Sequence, residues 1–157
     1  MAQTLDQKRA EYAWKAVSAV AKDLLAQKGD DKAEKQAKKL ISDYTSVAKG
    51  APVLIMGSGL MQTLAFLQAK TNPKKAISEQ QHILLLVNLM AWLGPMLTIP
   101  IAQIPTTHEE VKAAFDKTMK RLYEEPDSKI YRRATDESLA LLRWIRQFAD
   151  ARKAMEC

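Results

Sequence analysis

One long uncharged stretch limits how this chain can fold. No Asp, Glu, Lys or Arg occurs between Gln80 and His108, and residues 83–93 are apolar except for Asn88. A membrane-spanning helix needs about 20 apolar residues, but here any helix is soon broken by three prolines, Pro95, Pro100 and Pro105. The stretch therefore predicts a buried core helix followed by an irregular segment, rather than a membrane span.

Helix-start signals recur along the chain. A polar capping residue stands three positions before a Glu or Gln in four places, a pattern that satisfies two free amide groups at a helix start: Thr4 with Gln7, Asp31 with Glu34, Ser78 with Gln81, and Thr107 with Glu110. Two further starts are indicated by Gly50 with Pro52 and by Pro126 with Asp127. No segment alternates convincingly with the two-residue period of a β-strand. We therefore predict an all-α fold with helices at residues 5–27, 32–48, 53–70, 79–93, 108–124 and 128–154.

The length and composition fit one domain with one core. The 157 residues are 47% hydrophobic and 27% charged, the usual balance of a soluble globular protein. The third and fourth predicted helices are apolar on most of their circumference and should form the centre of a single-domain bundle over residues 1–157, with amphipathic helices around them. We expect Phe66 and Trp144 to be buried anchors whose replacement by Ala costs about 3–5 kcal/mol.

The charge balance favours a polyanionic partner or an acidic protein surface. Lys and Arg outnumber Asp and Glu by 24 to 18, which gives a net charge of +6 and a pI near 9.4. Cys157 is the only cysteine and the first twenty residues include charged side chains. We therefore expect a cytoplasmic protein without a disulfide framework or a secretory signal.

No residue pattern predicts a catalytic or metal site. His82 and His108 are the only histidines, and neither has the spacing of a metal site on a helix, so capping or solvation is the simpler interpretation. The Gly-Ser-Gly at residues 57–59 lacks the third glycine and the preceding strand of a phosphate-binding loop, and close helix packing explains it better. We expect no enzymatic activity, no cofactor, no metal and no small-molecule substrate.

Basic residues form a stripe on the first predicted helix and a larger one on the last. The first helix has a basic face that repeats every seven residues: Lys8, Lys15 and Lys22. Its opposite face is apolar: Ala13, Val17, Val20 and Leu24. When the last helix is wound at about 100° per residue, one half carries cations: Lys129, Arg132, Arg133, Arg143, Arg146 and Lys153. The other half is predicted to be buried: Ile130, Ala134, Leu141, Trp144, Ile145 and Phe148.

These stripes are candidate RNA-binding surfaces. A charged face is usual on any surface helix, but the excess of Arg favours phosphate contacts because a planar guanidinium matches phosphate geometry. A third cluster, Lys70, Lys74 and Lys75, lies at the end of the third predicted helix and in the turn after it. Lysines in that position also complement the helix dipole. The sequence alone does not indicate which of these three basic surfaces contacts RNA and which contacts protein.

Three segments of the chain carry recognisable motifs. The central one is GLMQTLAFLQAK at residues 59–70, with Gly59, Leu60, Gln62, Thr63, Ala65, Phe66 and Lys70. The N-terminal one is QKRAEYAWKAV, with Arg9, Ala10 and Ala13, and the C-terminal one is YRRATDESLALLRWIRQFADA, with Ala134, Glu137, Leu141, Trp144, Phe148 and Ala149. They resemble, in this order, the signature, the opening helix and the closing helix of one family, the small helical subunit of type III-B (Cmr) CRISPR effector complexes.

The resemblance implies a cytoplasmic, non-catalytic protein that stacks in several copies along a filament of backbone subunits carrying the CRISPR RNA. Its partners would be the backbone and large Cmr subunits, copies of itself, and CRISPR RNA with target RNA, which other subunits cut. An alternative is a peripheral membrane protein that docks on a bilayer through Ile83 to Ile104 while lysines meet anionic lipid. A hydrolase that uses His82 or His108 is a third hypothesis.

Overall fold

The computed structural model describes residues 2–26, 29, 31–99, 104–124, 126 and 128–156, and these residues contain six α-helices and no strand. In chain order the elements are α1 (Leu5–Ala26), α2 (Asp31–Ser58), α3 (Leu60–Ala69), a short 3-10 helix (Ile77–Glu79), α4 (Gln81–Leu93), α5 (His108–Glu124) and α6 (Ser128–Glu156). The predicted all-α bundle of about six helices is confirmed. Four positions used in the sequence argument lie outside what is described: Pro100, Asp127, Cys157 and the side chain of Leu24.

α4 is the central helix, as its apolar sequence predicts. It packs against α2, α3, α5 and α6. Its buried side chains cover most of its circumference: Ile83, Leu85, Leu86, Val87, Leu89, Met90 and Leu93. The core continues after the helix through Leu97 and Ile99. None of the helices in the described part of the chain is long and apolar enough to cross a membrane.

The prediction that Gly50 and Pro52 mark a boundary between two helices is wrong. α2 continues through both residues. A proline inside a helix lacks the N–H that bonds to the carbonyl four residues earlier and typically costs about 3 kcal/mol. The neighbouring side chains Ala48, Ala51 and Ile55 are buried in the core, and we attribute the continuity of the helix to this packing.

The helix boundary lies instead at Gly59. This residue has φ of +89°, a conformation that favours glycine. A Cβ atom here would lie 3.2 Å from the hydroxyl oxygen of Tyr131, and that oxygen accepts a hydrogen bond from the backbone N–H of Met61 at 3.1 Å. Close packing, predicted for the Gly-Ser-Gly segment, therefore holds at Gly59.

α3 is shorter than predicted and buries only one side. Its buried residues are Leu60, Thr63, Leu64 and Leu67. Phe66 lies about 100° around the helix from Leu67 and is 39% exposed, so the prediction that it is a buried anchor is wrong. The ring packs edge-on against His82 at 5.9 Å instead, and Lys70 Nζ lies 5.4 Å from its centroid.

The helix starts follow the predicted caps in part. Thr4 and Gln7 form the predicted reciprocal cap, with N–H to side-chain oxygen distances of 2.8 and 3.1 Å. The Glu110 N–H donates to Thr107 Oγ1 at 3.2 Å.

The cap predicted at Ser78 is wrong, because this residue lies in the 3-10 helix and α4 begins at Gln81. Gln80 is the buried polar residue at this turn. Its side chain accepts from the N–H of Asn72 at 2.6 Å and donates to the carbonyl oxygens of Asn72 and Lys75 at 2.9 and 3.0 Å. These bonds close the segment between α3 and α4.

α1 and α6 pack along each other with the apolar faces that the sequence predicts. Ala13, Val17 and Val20 of α1 are buried, as are Ala134, Leu141 and Ile145 of α6. Ile130, Trp144 and Phe148 pack against this core but are only partly buried. The Trp144 indole N–H donates to Asp6 Oδ1 at 3.0 Å, so this residue joins the two helices at their edge.

One carboxylate joins α1, α4 and α6. Arg9 donates two hydrogen bonds to Glu137, both 2.7 Å long, and the Trp92 indole N–H donates to Glu137 Oε1 at 2.9 Å. The hydrogen bonds from Arg9 hold the pKa of Glu137 below its ordinary value of 4.5, although burial of the carboxyl opposes this effect. We refer to these three residues as the Glu137 junction.

The burial pattern of α3 leads to a first prediction. Leu64→Ala should lower the free energy of unfolding by about 2–5 kcal/mol, because it leaves a cavity in the core. Phe66→Ala should cost less although it removes a larger side chain, since much of the ring is already in water. Urea unfolding followed by circular dichroism measures both values, and a Phe66→Ala cost as large as that of Leu64→Ala would contradict the assignment of the exposed face.

The Glu137 junction leads to a second prediction. Glu137→Gln should lower the free energy of unfolding by about 2–3 kcal/mol at pH 7, because it leaves the mostly buried Arg9 guanidinium with only the exposed Asp6 carboxylate, 3.5 Å away, as a charged partner. Glu11→Gln is the control, since it also removes a Glu charge from an ion pair, here with Lys15, but an exposed one. That change should leave the free energy of unfolding nearly unchanged.

The same variant should reveal a pH dependence with a definite sign. The pKa of Glu137 is lower in the folded protein than in the unfolded chain, so the charged carboxylate stabilises the fold above pH 4.5 and this contribution is lost as the pH falls through the folded pKa. The stability difference between the parent and Glu137→Gln should therefore shrink on acidification below pH 4.5. A difference that stays constant down to acid denaturation would contradict the assignment.

Candidate nucleic-acid interface

The predicted basic stripes of α1 and α6 lie on the solvent-facing sides of two helices that pack along each other. Both helices bury their opposite faces in one core. Each cationic face therefore points away from that core. We call the two stripes together the outer face of the α1–α6 pair, with Lys8, Lys15 and Lys22 on α1 and Lys129, Arg132, Arg133, Arg143 and Arg146 on α6.

All eight of these side chains are exposed. On α1, the Lys15 ammonium lies 2.9 Å from Glu11 Oε1, so part of its charge is neutralised within the chain. On α6, one nitrogen of Arg132 donates to Ser128 Oγ at 3.3 Å. Lys153, the last cation of the α6 stripe, is half-buried.

The four arginines of the α6 stripe, Arg132, Arg133, Arg143 and Arg146, have no described carboxylate within the 4 Å of an ion pair. Two acids share their half of the helix, Asp136 and Asp150. Asp150 is directed toward α2, where its Oδ1 lies 2.8 Å from Lys49 Nζ. The arginine stripe therefore keeps most of its positive charge, and a phosphate backbone is the ligand that such a stripe fits.

An aromatic seam separates the lysines of α1 from the arginines of α6. Trp14 is 37% exposed and packs edge-on against Phe148 at 5.3 Å, and Phe148 in turn lies 5.5 Å from Trp144. The Arg152 guanidinium stacks over the Trp14 ring at 5.5 Å. Trp14 was not among the surface residues predicted from the sequence, although its position about 100° from Lys15 on the helix wheel places it between the basic and apolar faces.

The third lysine cluster is not brought together with the outer face. Lys70, Lys74 and Lys75 are exposed, and they surround the turn after α3 that Gln80 closes. The carbonyl oxygen of Lys75 lies 2.7 Å from the Nε2 atom of His108, at the start of α5. Among the described residues, no hydrogen bond or ion pair joins this cluster to α1 or α6.

The histidines take part in local packing. His82 lies against Phe66, and burial lowers its pKa, with a smaller contribution from Lys70. The Nε2 atom of His108 lies within hydrogen-bond distance of the Lys75 carbonyl oxygen. The described part of the chain has no group of three or more side chains placed to hold a metal ion. The outer face presents exposed Lys and Arg side chains to solvent.

A comparison with known protein families supplies the identity. A family model described as "CRISPR-associated protein (Cas_Cmr5)" matches residues 5–152. This range begins with α1 and ends near the end of α6, and it includes all three segments on which the resemblance rests. Because the match covers nearly the whole chain, this protein belongs to the Cas_Cmr5 family of CRISPR-associated proteins, the small-subunit family of type III-B (Cmr) complexes.

Proposed function

We propose that this protein is a non-catalytic small subunit of a type III-B RNA-guided effector complex in the cytoplasm. Several copies stack along the backbone filament, and the outer face of the α1–α6 pair contacts target RNA or the guide–target duplex. The whole chain, residues 1–157, acts as one domain without a cofactor. Family membership supports association with other Cmr subunits.

The observation that carries the RNA proposal is the set of four exposed arginines on α6 that lack a carboxylate partner among the described residues. Neighbouring cations repel one another, and this repulsion is relieved when a polyanion binds across them. Nucleic-acid phosphates also release condensed counterions when cations replace them, which favours binding. The exposed lysines of α1 supply a further basic stripe on the helix that packs against α6.

Such a surface senses phosphate and shape rather than sequence. Phosphate contacts position a nucleic acid without reading its bases. In RNA-guided effectors the sequence is read by base pairing between guide and target, so a subunit of this kind needs no base-specific pocket. Lys70, Lys74 and Lys75 are the second candidate surface, for RNA or for a protein neighbour.

The peripheral-membrane alternative is less well supported. The apolar stretch that it requires begins at Ile83, and from there to Ile99 its large side chains are mostly in the core. Of the rest, Ile104 is exposed, whereas residues 100–103 lie outside the described part of the chain. The RNA proposal, by contrast, rests on side chains that face solvent.

The third prediction concerns self-association. Filament stacking is head to tail and does not close on itself, so the isolated protein should be monomeric or should associate weakly. Sedimentation velocity over a range of micromolar concentrations measures this. A dimer whose population does not change with concentration would count against the filament.

The fourth prediction concerns the arginine stripe. Replacing Arg132, Arg133, Arg143 and Arg146 with Glu should weaken target-RNA binding by the assembled complex, and to a similar extent for unrelated guide sequences. Each contact with a single-stranded phosphate contributes about 0.7 to the slope of log affinity against log salt. Loss of two or three contacts should therefore flatten the slope by about 1.5–2. Filter-binding titrations at several salt concentrations measure both effects.

The control carries the same change in net charge on other exposed surfaces. It replaces four exposed lysines of α2 and α5 with Glu: Lys32, Lys35, Lys39 and Lys117. The control should keep the parental salt slope. If both variants flatten the slope equally, the effect is one of total charge and the α6 stripe is not the contact. If the slope is unchanged but the α6 variant fails to assemble, the stripe is a protein contact and the RNA role passes to Lys8, Lys15 and Lys22.

A further inference from the structure

The C-terminal half of α2 exposes an unusual apolar surface. Val53 is 67% exposed, Met56 71% and Leu54 37%, whereas Ile55 between them is buried. Single exposed apolar residues are common on protein surfaces, but several large ones within two helical turns indicate a site of interaction. We call this surface the α2 apolar face and define it by Gly50, Val53, Leu54, Met56 and Gly57.

Nothing in the described part of the chain explains the two glycines of this face. Glycine destabilises a helix interior relative to Ala, so a helical glycine normally reflects a close contact. A Cβ atom added at Gly50 or Gly57 would meet nothing within 4 Å, whereas one at Gly59 would meet Tyr131 at 3.2 Å. Small residues on an exposed helix face leave room for the backbone of another molecule to approach closely.

The charge of the surface indicates what that molecule is. The 20 residues from Gly50 to Ala69 include no Asp, Glu, Lys, Arg or His. RNA is excluded as the occupant, because its binding depends on cations that replace counterions. The centres of protein interfaces, by contrast, are depleted of charged residues and enriched in Met.

A second copy of this chain fits the surface poorly. The other large exposed apolar side chains of the described residues are Leu5, Trp14, Phe66, Ile104, Tyr123 and Met155. No two of them lie within one turn of each other on the same helix. The aromatic seam of Trp14, Phe148 and Trp144 is an apolar patch formed across two helices, but the Arg152 guanidinium lies over its exposed ring, Trp14. A head-to-tail contact between this seam and the α2 apolar face would therefore take that cation out of water against a surface without charge. Two α2 apolar faces could match each other, but only in a closed two-fold dimer.

We infer that the α2 apolar face is the docking surface for an uncharged, apolar helix of a different subunit of the Cmr complex. This inference rests on the proposed function, since it assumes assembly with other Cmr subunits. It adds the surface that makes the contact and the chemistry of the partner element. The helix seats over Gly50 and Gly57, and Val53 and Met56 are the side chains that it covers.

The test uses two substitutions of the same residue type. Met56 and Met155 are both exposed apolar side chains, at 71% and 65%, but they lie on different helices. The other purified Cmr subunits and CRISPR RNA are mixed with the parent, Met56→Lys or Met155→Lys, and incorporation into the complex is measured after gel filtration. Met56→Lys should reduce incorporation at least tenfold with an unchanged melting temperature of the isolated subunit. Met155→Lys should incorporate like the parent.

Gly50→Ala provides a second test in which two readouts move in opposite directions. Ala favours the helix and has free space at this position, so the melting temperature of the isolated subunit should rise. The added methyl group should hold the docked helix away and reduce incorporation. A merely structural glycine would show either no change in incorporation or a loss of stability, and either result would overturn the inference.

Other outcomes also decide the matter. Incorporation of Met56→Lys at the parental level shows that the surface is not used. A dimer of the isolated parent that Met56→Lys dissociates assigns the surface to a second copy and overturns the inference. If Met56→Lys incorporates normally but the complex binds RNA less well, the α2 apolar face is an RNA contact, and this result also overturns the inference. If the parent protein itself does not incorporate into the complex, the proposed function is wrong as well. The parent sample therefore distinguishes failure of the proposed function from failure of this inference alone.

Discussion

The arrangement of this protein depends on one carboxylate shared by three helices. Glu137 of α6 accepts two hydrogen bonds from Arg9 of α1 and one from Trp92 of α4. Removing a carboxylate from water is costly, and the cost is offset only when charged and polar partners surround it. The junction therefore fixes how α1 and α6 lie against the central helix. Their two basic stripes both face solvent because this packing turns both apolar faces inward.

Two neighbouring surfaces of the molecule differ in chemistry. The outer face of the α1–α6 pair is cationic and carries arginines without a described acidic partner. The α2 apolar face has no charge at all over its length. α6 carries the arginines of the first surface and packs against α2, which carries the second. The proposed contacts with RNA and with a protein partner would each use one of these surfaces, and the two follow from different stretches of the sequence.

Some features were predictable because they depend on local pattern. The reciprocal cap of Thr4 and Gln7, the burial of α4 and the exposure of the cations follow from periodicity and capping preferences that short segments encode. Other predictions failed because a local signal was outweighed by packing. Pro52 indicated a helix boundary, but burial of Ala48, Ala51 and Ile55 accompanies a continuous helix. Phe66 was assigned to the core, but once α3 begins after Gly59 its buried side is set by Leu60, Leu64 and Leu67.

The sequence by itself determined the all-α class, the central apolar helix, the two basic stripes and the family, because each is a pattern of residue types along the chain. The tertiary structure decided that the two helices that carry these stripes pack against each other, since that depends on the Glu137 junction between residues 128 positions apart. It also decided that Val53 and Met56 face solvent, because the direction of a side chain depends on where the helix begins and what packs against it. Apolar character predicts burial only on average, and only packing determines which apolar residues remain outside.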